Sequence, residues 1–249
     1  FDDDAALLAS ELDIVLTSRS MGKGERVPMA GIPAHALDSY LPRLIKKGHR
    51  VAICEQLTEP THSKGIVERD VVRVVSPGTV LESSMLEQGV NNYLVALVVD
   101  DKTAGLAYID ITTGEFQVTE LEVDGVNAEL HRLSPAEILL PDSWNGDLGL
   151  DQVAISKLDI GSFRTDRARS ILLEHFGVQS LESFGCDEMT MGIGAAGAVL
   201  GYLQGSHKSV ITSVSSLSPY NTSTFMALDP QTRRNLELFK SGRWGTGAN

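Results

Sequence analysis

Residues 93–122 read YLVALVVDDKTAGLAYIDITTGEFQVTELE, three runs rich in β-branched and aromatic residues at 93–99, 105–111 and 115–121. Asp100-Asp101-Lys102 and Thr113-Gly114 separate them. Short β-rich runs broken by turn residues predict consecutive antiparallel hairpins. Helical spacing follows over 126–133, an apolar strand over 136–140 and a further helix over 166–176. Residues 190–203 are rich in glycine, alanine and larger apolar residues, with no polar face, so this helix is expected to be buried. A meander followed by alternating helix and strand is an α/β layer fold.

Upstream, residues 5–12 read as the end of a helix and Ile14-Val15-Leu16-Thr17 as a strand. A loop carrying Gly22, Gly24 and Pro28 comes next. Leu37, Leu41, Leu44 and Ile45 recur at helical spacing, with Lys46 and Lys47 in the last turn and Gly48 as the stop. Pro42 removes one hydrogen bond from that helix, which predicts a kink or a late start. Residues 51–55 and 67–75 are β-rich, and Pro77-Gly78 marks a closing turn. Helix, strand, helix, strand, strand predicts a small mixed α/β domain over 1–80, ahead of an α/β domain over 81–220. Residues 225–228 open a third unit, 221–249, where Asp229 as N-cap and Pro230 in the first turn start a short helical stub. Residues 242–249 are expected to be a fragment boundary and not a natural terminus.

The 249 residues, 42% hydrophobic and 22% charged, suit two ordinary domains. No apolar run approaches the roughly 18 residues of a membrane span, and Phe1-Asp2-Asp3-Asp4 is not a secretory signal, so a cytoplasmic, non-membrane chain is expected. Cys54 and Cys186 stand far apart without a CxxC, which predicts two reduced, buried thiols. Asn221-Thr222-Ser223 fits a glycosylation sequon but, without secretion, is a chance match.

The net charge of −12 would ordinarily argue against nucleic acid, but it is unevenly spread. Residues 1–80 hold 10 Lys or Arg against 11 acids, residues 81–220 hold 7 against 20, and residues 221–249 hold 4 against 2. Between Arg43 and Arg73 there are 7 basic and 4 acidic residues. A DNA-facing surface therefore belongs to the first segment.

Pro28-Met29-Ala30-Gly31-Ile32-Pro33, then Val51-Ala52-Ile53-Cys54-Glu55-Gln56, then Val71-Val72-Arg73-Val74-Val75-Ser76-Pro77-Gly78-Thr79 closely resemble the MutS family of DNA mismatch repair proteins. Asp110-Ile111-Thr112-Thr113-Gly114-Glu115-Phe116 looks like that family's connector hairpin, and residues 228–237, LDPQTRRNLE, like the start of its lever domain. The resemblance implies a truncated mismatch-recognition domain, a connector of ribonuclease H-like fold and a lever stub. It implies a parent that is a homodimeric, DNA-dependent ATPase using ATP and magnesium. That parent would bind double-stranded DNA carrying mismatches or small loops and recruit MutL, in a bacterial cytoplasm. The family's Phe-x-Glu wedge is absent: Phe1-Asp2-Asp3 is not that element, and Phe1 matches a second phenylalanine beyond it, so the wedge is expected upstream. No GxxxxGK[ST] occurs, so no ATPase activity and no cofactor are expected of this fragment.

The candidate DNA-contacting residues are Arg19, Met29, Lys64, Arg69 and Arg73. Composition alone reads the basic ones as solvated charge and Met29 as core filler. The resemblance implies that Arg19 and Arg69 match DNA-facing positions, with Met29, Lys64 and Arg73 as further candidates. Arg164, Arg167 and Arg169, basic residues on an otherwise acidic domain, are the candidate surface for MutL. Two other readings compete. Gly192-x-Gly194-x-x-Gly197 matches a dinucleotide-binding fingerprint, but no strand is expected before it and no acid occurs between Gly197 and Asp229, so close helix packing is the better account. A ribonuclease H-like nuclease would need several carboxylates converging on ions about 4 Å apart. Asp110, expected within a strand, and Glu115 are the only acids in that strand and turn. His35, His131 and His175 show no metal spacing.

Overall fold

A computed structural model describes residues 1–20, 25–57, 67–86, 89–150, 153–206 and 211–224. The chain divides into two units, Phe1–Pro77 and Gly78 onward.

In the first unit, helix α1 (Asp2–Leu12) starts on three aspartates, which complement the positive end of its dipole. It ends at Asp13, whose left-handed backbone (φ 56°) turns the chain away. That turn overrides the β-branched run at Ile14: residues 14–16 form no strand, and β1 is Thr17–Ser20, aligned by its partner β2 (Arg26–Met29). Strand β2 falls in the stretch with Gly22, Gly24 and Pro28 that the sequence predicts as loop. In a two-stranded ribbon one edge of each strand is free, and a residue lacking an N–H is tolerated there. Helix α2 (Leu37–Lys46) buries Leu41, Leu44 and Ile45. It starts at Leu37, not late, so the N–H missing at Pro42 falls inside it. Gly48, at φ 84°, closes it as expected, with its N–H and that of His49 reaching back to Ile45 and Leu44. Strands β3 (Val51–Gln56) and β4 (Arg69–Val75) form a second antiparallel ribbon.

The second unit is built on one six-stranded sheet in the order β10-β7-β6-β5-β8-β9. Strands β5 (Tyr93–Val99), β6 (Thr103–Asp110) and β7 (Glu115–Glu122) are the expected meander. After α3 (Val123–Leu133), β8 (Glu137–Pro141) returns parallel to β5; β9 (Ala154–Leu158) lies parallel to β8, and β10 (Ser218–Pro219) parallel to β7. Antiparallel meander plus parallel flanks is the mixed sheet expected of a ribonuclease H-like connector. Alternate residues of the central strands serve two cores. Leu94, Ala96, Ala107, Ile109 and Leu139 face α4 (Thr165–Phe176) and α5 (Thr190–Ser206), whereas Val95, Leu97, Leu106, Ile138 and Leu140 face α3. Burial on both faces explains why these strands read as continuous apolar runs. Strand β9 escaped sequence reading because it is a short edge strand with Ile155 and Lys157 exposed. The helical stub expected from Asp229 lies outside the described residues.

Candidate nucleic-acid interface

Arg19 lies on β1 opposite Val27, and Met29 on β2 opposite Thr17. Directly opposed side chains share a face, so Arg19 and Met29 are diagonal neighbours on one side of the ribbon. Arg19 is exposed and Met29 half-buried. On the other side Arg26, exposed, donates from Nε to Ser18 Oγ at 3.0 Å. Arg26 is not among the candidates read from the sequence. Lys64 lies outside the described residues.

Arg69 and Arg73 both stand on β4, four positions apart, where simple alternation would put them on one face. A bulge intervenes. Ile53 pairs with Arg73 while Cys54 pairs with Val71, leaving Val72 as an extra residue. The slip turns Arg69 and Val71 to the side shared with Cys54 and Gln56, where all four are exposed, and leaves Arg73 with Val51, Ile53 and buried Val75. Arg69 donates weakly to the Val67 carbonyl at 3.5 Å. Cys54 is exposed, contrary to expectation, because it lies on the outward side of β3 with Ala52 and Gln56; Cys186 is buried. Among the described residues Arg19, Arg26 and Arg69 form no ion pair.

Other members of the basic segment are engaged internally. Arg43 Nη2 donates to the Leu12 carbonyl at 3.1 Å and Lys47 Nζ to the Glu11 carbonyl at 2.9 Å, so α2 supplies cations to the carboxyl end of α1. Lys47 also pairs with the Glu11 carboxylate, and this hydrogen bond is the main cause holding the Glu11 carboxyl below its ordinary value. Counting charge along the sequence could not separate these residues from free ones.

In the second unit Arg164 forks onto Asp166, with Nη2 to Oδ2 at 2.8 Å, both well exposed. Arg169 pairs with the Asp187 carboxylate and also donates to the Asp187 carbonyl at 2.8 Å. Arg167 is exposed. The three arginines thus share the start of α4 but not one free cationic face.

Asp110 ends β6 and is buried, not placed mid-strand. Its carboxylate accepts from Asn92 N–H (3.1 Å), Thr112 N–H (2.9 Å) and Thr112 Oγ1 (2.6 Å), fastening the β6–β7 turn. Glu115 accepts from the Tyr93 and Tyr108 hydroxyls at 3.0 and 3.2 Å. No group of three or more His, Cys, Asp or Glu among the described residues is arranged to hold a metal ion. The three glycines of the Gly192-x-Gly194-x-x-Gly197 pattern face protein. A Cβ at Gly192 would sit 2.8 Å from Val118 Cγ2, at Gly194 2.4 Å from the Phe163 carbonyl, and at Gly197 2.3 Å from Ala168 Cβ. The helix N-terminus itself is occupied by Glu120, whose Oε1 accepts from Met191 and Gly192 N–H at 2.6 and 2.9 Å. His175 bonds the Val214 carbonyl at 2.8 Å.

Residues 1–84 match the family model described as MutS domain I, and residues 92–217 that described as MutS domain II. Similar proteins include the DNA mismatch repair protein MutS of Dehalococcoides mccartyi (strain ATCC BAA-2266 / KCTC 15142 / 195), 49% identical over 242 residues, covering 97% of this chain and 28% of that protein. MutS of Symbiobacterium thermophilum is 44% identical over 261 residues, with 99% and 30% covered, and MutS of Methanococcoides burtonii 41% over 254 residues, with 98% and 29% covered. The chain spans less than a third of these relatives.

Proposed function

Since this chain belongs to the MutS family of DNA mismatch repair proteins, represented by domains I and II, we propose that its first unit contacts the backbone of duplex DNA and its second is a connector that relays conformation. The observation that carries the DNA reading is the placement of cations. Arg19, Arg26 and Arg69 are exposed and form no ion pair among the described residues, whereas the acids concentrate in the second unit. Guanidinium groups so placed replace condensed counterions along phosphates. The bulge at Val72 supports Arg69 over Arg73, since only Arg69 turns to the exposed face.

The whole protein, in this proposal, is a homodimer that recognises mismatches or small loops, couples recognition to ATP- and magnesium-driven clamp formation, and recruits MutL in the cytoplasm. Arg164, Arg167 and Arg169 mark the MutL-facing end of α4, with Arg167 the one that is exposed and forms no ion pair among the described residues. Mismatch preference in a minor-groove binder comes from an apolar wedge that opens a weak base step. This sequence holds no Phe-x-Glu, so its own binding is expected to be indifferent to mispairs.

Titrating matched and G·T duplexes at several salt concentrations tests the reading. A dissociation constant no tighter than the roughly 10⁻⁴ to 10⁻⁶ M range of nonspecific binding is expected for both duplexes, weakening with salt. Arg69→Ala should reduce the salt slope by about 1 and weaken both duplexes alike. Salt-independent binding, or tenfold preference for G·T, would overturn this division of roles.

A further inference from the structure

We infer that Tyr220, clasped by Glu129 and Arg132 of α3, is a latch through which residues 218–224 detach from the sheet edge and reattach while the rest of the second unit stays folded. The hold on this segment is concentrated in one residue. Strand β10 contributes two residues, one of them Pro219, which has no N–H to donate. Beyond it, Asn221 and Thr224 bond within their own turn. Tyr220 is fastened at several points. Its N–H donates to the Val118 carbonyl at 3.0 Å, its hydroxyl to Glu129 Oε1 at 2.6 Å, and its ring packs edge-on against Tyr108 at 5.5 Å. The Arg132 guanidinium lies over the same ring, 5.6 Å from its centre.

Detachment leaves no buried side chain stranded, and this makes the latch reversible. Glu129 is only 5% exposed, and an unpartnered carboxylate there would be costly. Arg132 keeps it satisfied through two hydrogen bonds, Nε to Oε2 at 2.9 Å and Nη2 to Oε1 at 2.6 Å, with or without the tyrosine. Tyr108 likewise retains Glu115 Oε1 at 3.2 Å and the edge of Tyr93 at 4.8 Å. Each side-chain partner of Tyr220 therefore has a second partner within the folded unit. Leu217, just before the segment, is 2% exposed and anchors the chain on the inner side of the hinge. The inference concerns the chain's own opening and holds whatever the second unit binds.

Amide hydrogen exchange on the full chain tests it. A hydrogen bond to a charged acceptor is strong enough that losing it should accelerate local opening about tenfold or more. Tyr220→Phe, which keeps the ring, should speed exchange of the residue 220 amide by that factor, and Tyr220→Ala by more, with the Leu97 and Ala107 amides of the central strands unchanged. In the unsubstituted chain, exchange at Tyr220 should depend less on added urea than exchange at Leu97, because a local opening exposes little surface. An unchanged residue 220 amide in both variants, central-strand amides accelerating in step with it, or equal urea dependence at the two sites would each overturn the latch.

Discussion

Replacing Gly197 by alanine places a methyl group where the backbones of α4 and α5 meet. The added Cβ would lie 2.3 Å from Ala168 Cβ and 2.4 Å from Ala168 Cα. Non-bonded carbons rest roughly 3.5–4.0 Å apart, so the helices must separate by about 1 Å. Overpacking of this kind costs about 1–3 kcal/mol, and backbone obstacles put this site at the upper end. Alanine's better helix propensity offsets roughly 1 kcal/mol of that. The net expectation is a loss of about 1–2 kcal/mol. Gly201, one turn further along the same helix, provides the control, because a Cβ there would meet only Ile171 Cδ1 at an ordinary 3.6 Å. Gly201→Ala should keep most of the propensity gain and stabilise by up to about 1 kcal/mol. The two substitutions are chemically identical and should move stability in opposite directions. Urea unfolding followed by circular dichroism resolves this: with a slope of roughly 2 kcal/mol per molar, midpoints of the two variants should differ by about 1 M. Equal midpoints, or a Gly197→Ala chain at least as stable as the parent, would refute the close-packing account of this glycine pattern.

Glu137, fully buried on β8, accepts from Gly78 N–H, Ser156 Oγ and the Tyr202 hydroxyl, so Glu137→Ala should cost at least about 3 kcal/mol by stranding those donors; a loss below about 1 kcal/mol in the same urea assay would show that they find other partners. The Tyr220 and Tyr108 phenols are held well above their ordinary value, first by burial and then by the nearby Glu129 and Glu115 respectively. A raised folded pKa means that this stability is fully present below the unfolded value of about 10 and is lost as pH rises beyond it. Unfolding midpoints should therefore fall above about pH 10, less steeply in Tyr220→Phe; an equally steep fall would contradict the assignment. Arg167→Glu in the full-length parent should weaken MutL recruitment while sparing mismatch binding, measured by pull-down and duplex titration, and unchanged recruitment would remove this surface from consideration. Calorimetry with ATP should show no micromolar binding to this chain, since no phosphate-cradling loop occurs in its sequence.

The amino-acid sequence by itself determined those features whose cause is local or periodic. The β5–β7 meander was legible because turn residues punctuate β-rich runs, α2 because its apolar spacing ends at a glycine, and the burial of α5 because no face of it is polar. The resemblance carried by residues 28–33, 51–56 and 71–79 was likewise written in the chain. The tertiary structure decided what depends on partners distant in sequence. Strand β1 starts at Thr17, after the β-branched run, because β2 sets its register. Arg69 and Arg73 part company because of an extra residue measured against β3, which no periodicity in β4 alone can reveal. Arg43 and Lys47 look like free cations until α1 brings its carbonyls to them, and Glu129 and Tyr220, 91 positions apart, become neighbours only when the sheet's edge and α3 are assembled. A side chain's charge is fixed by its identity, but its availability is fixed by what the fold places within a few ångströms of it.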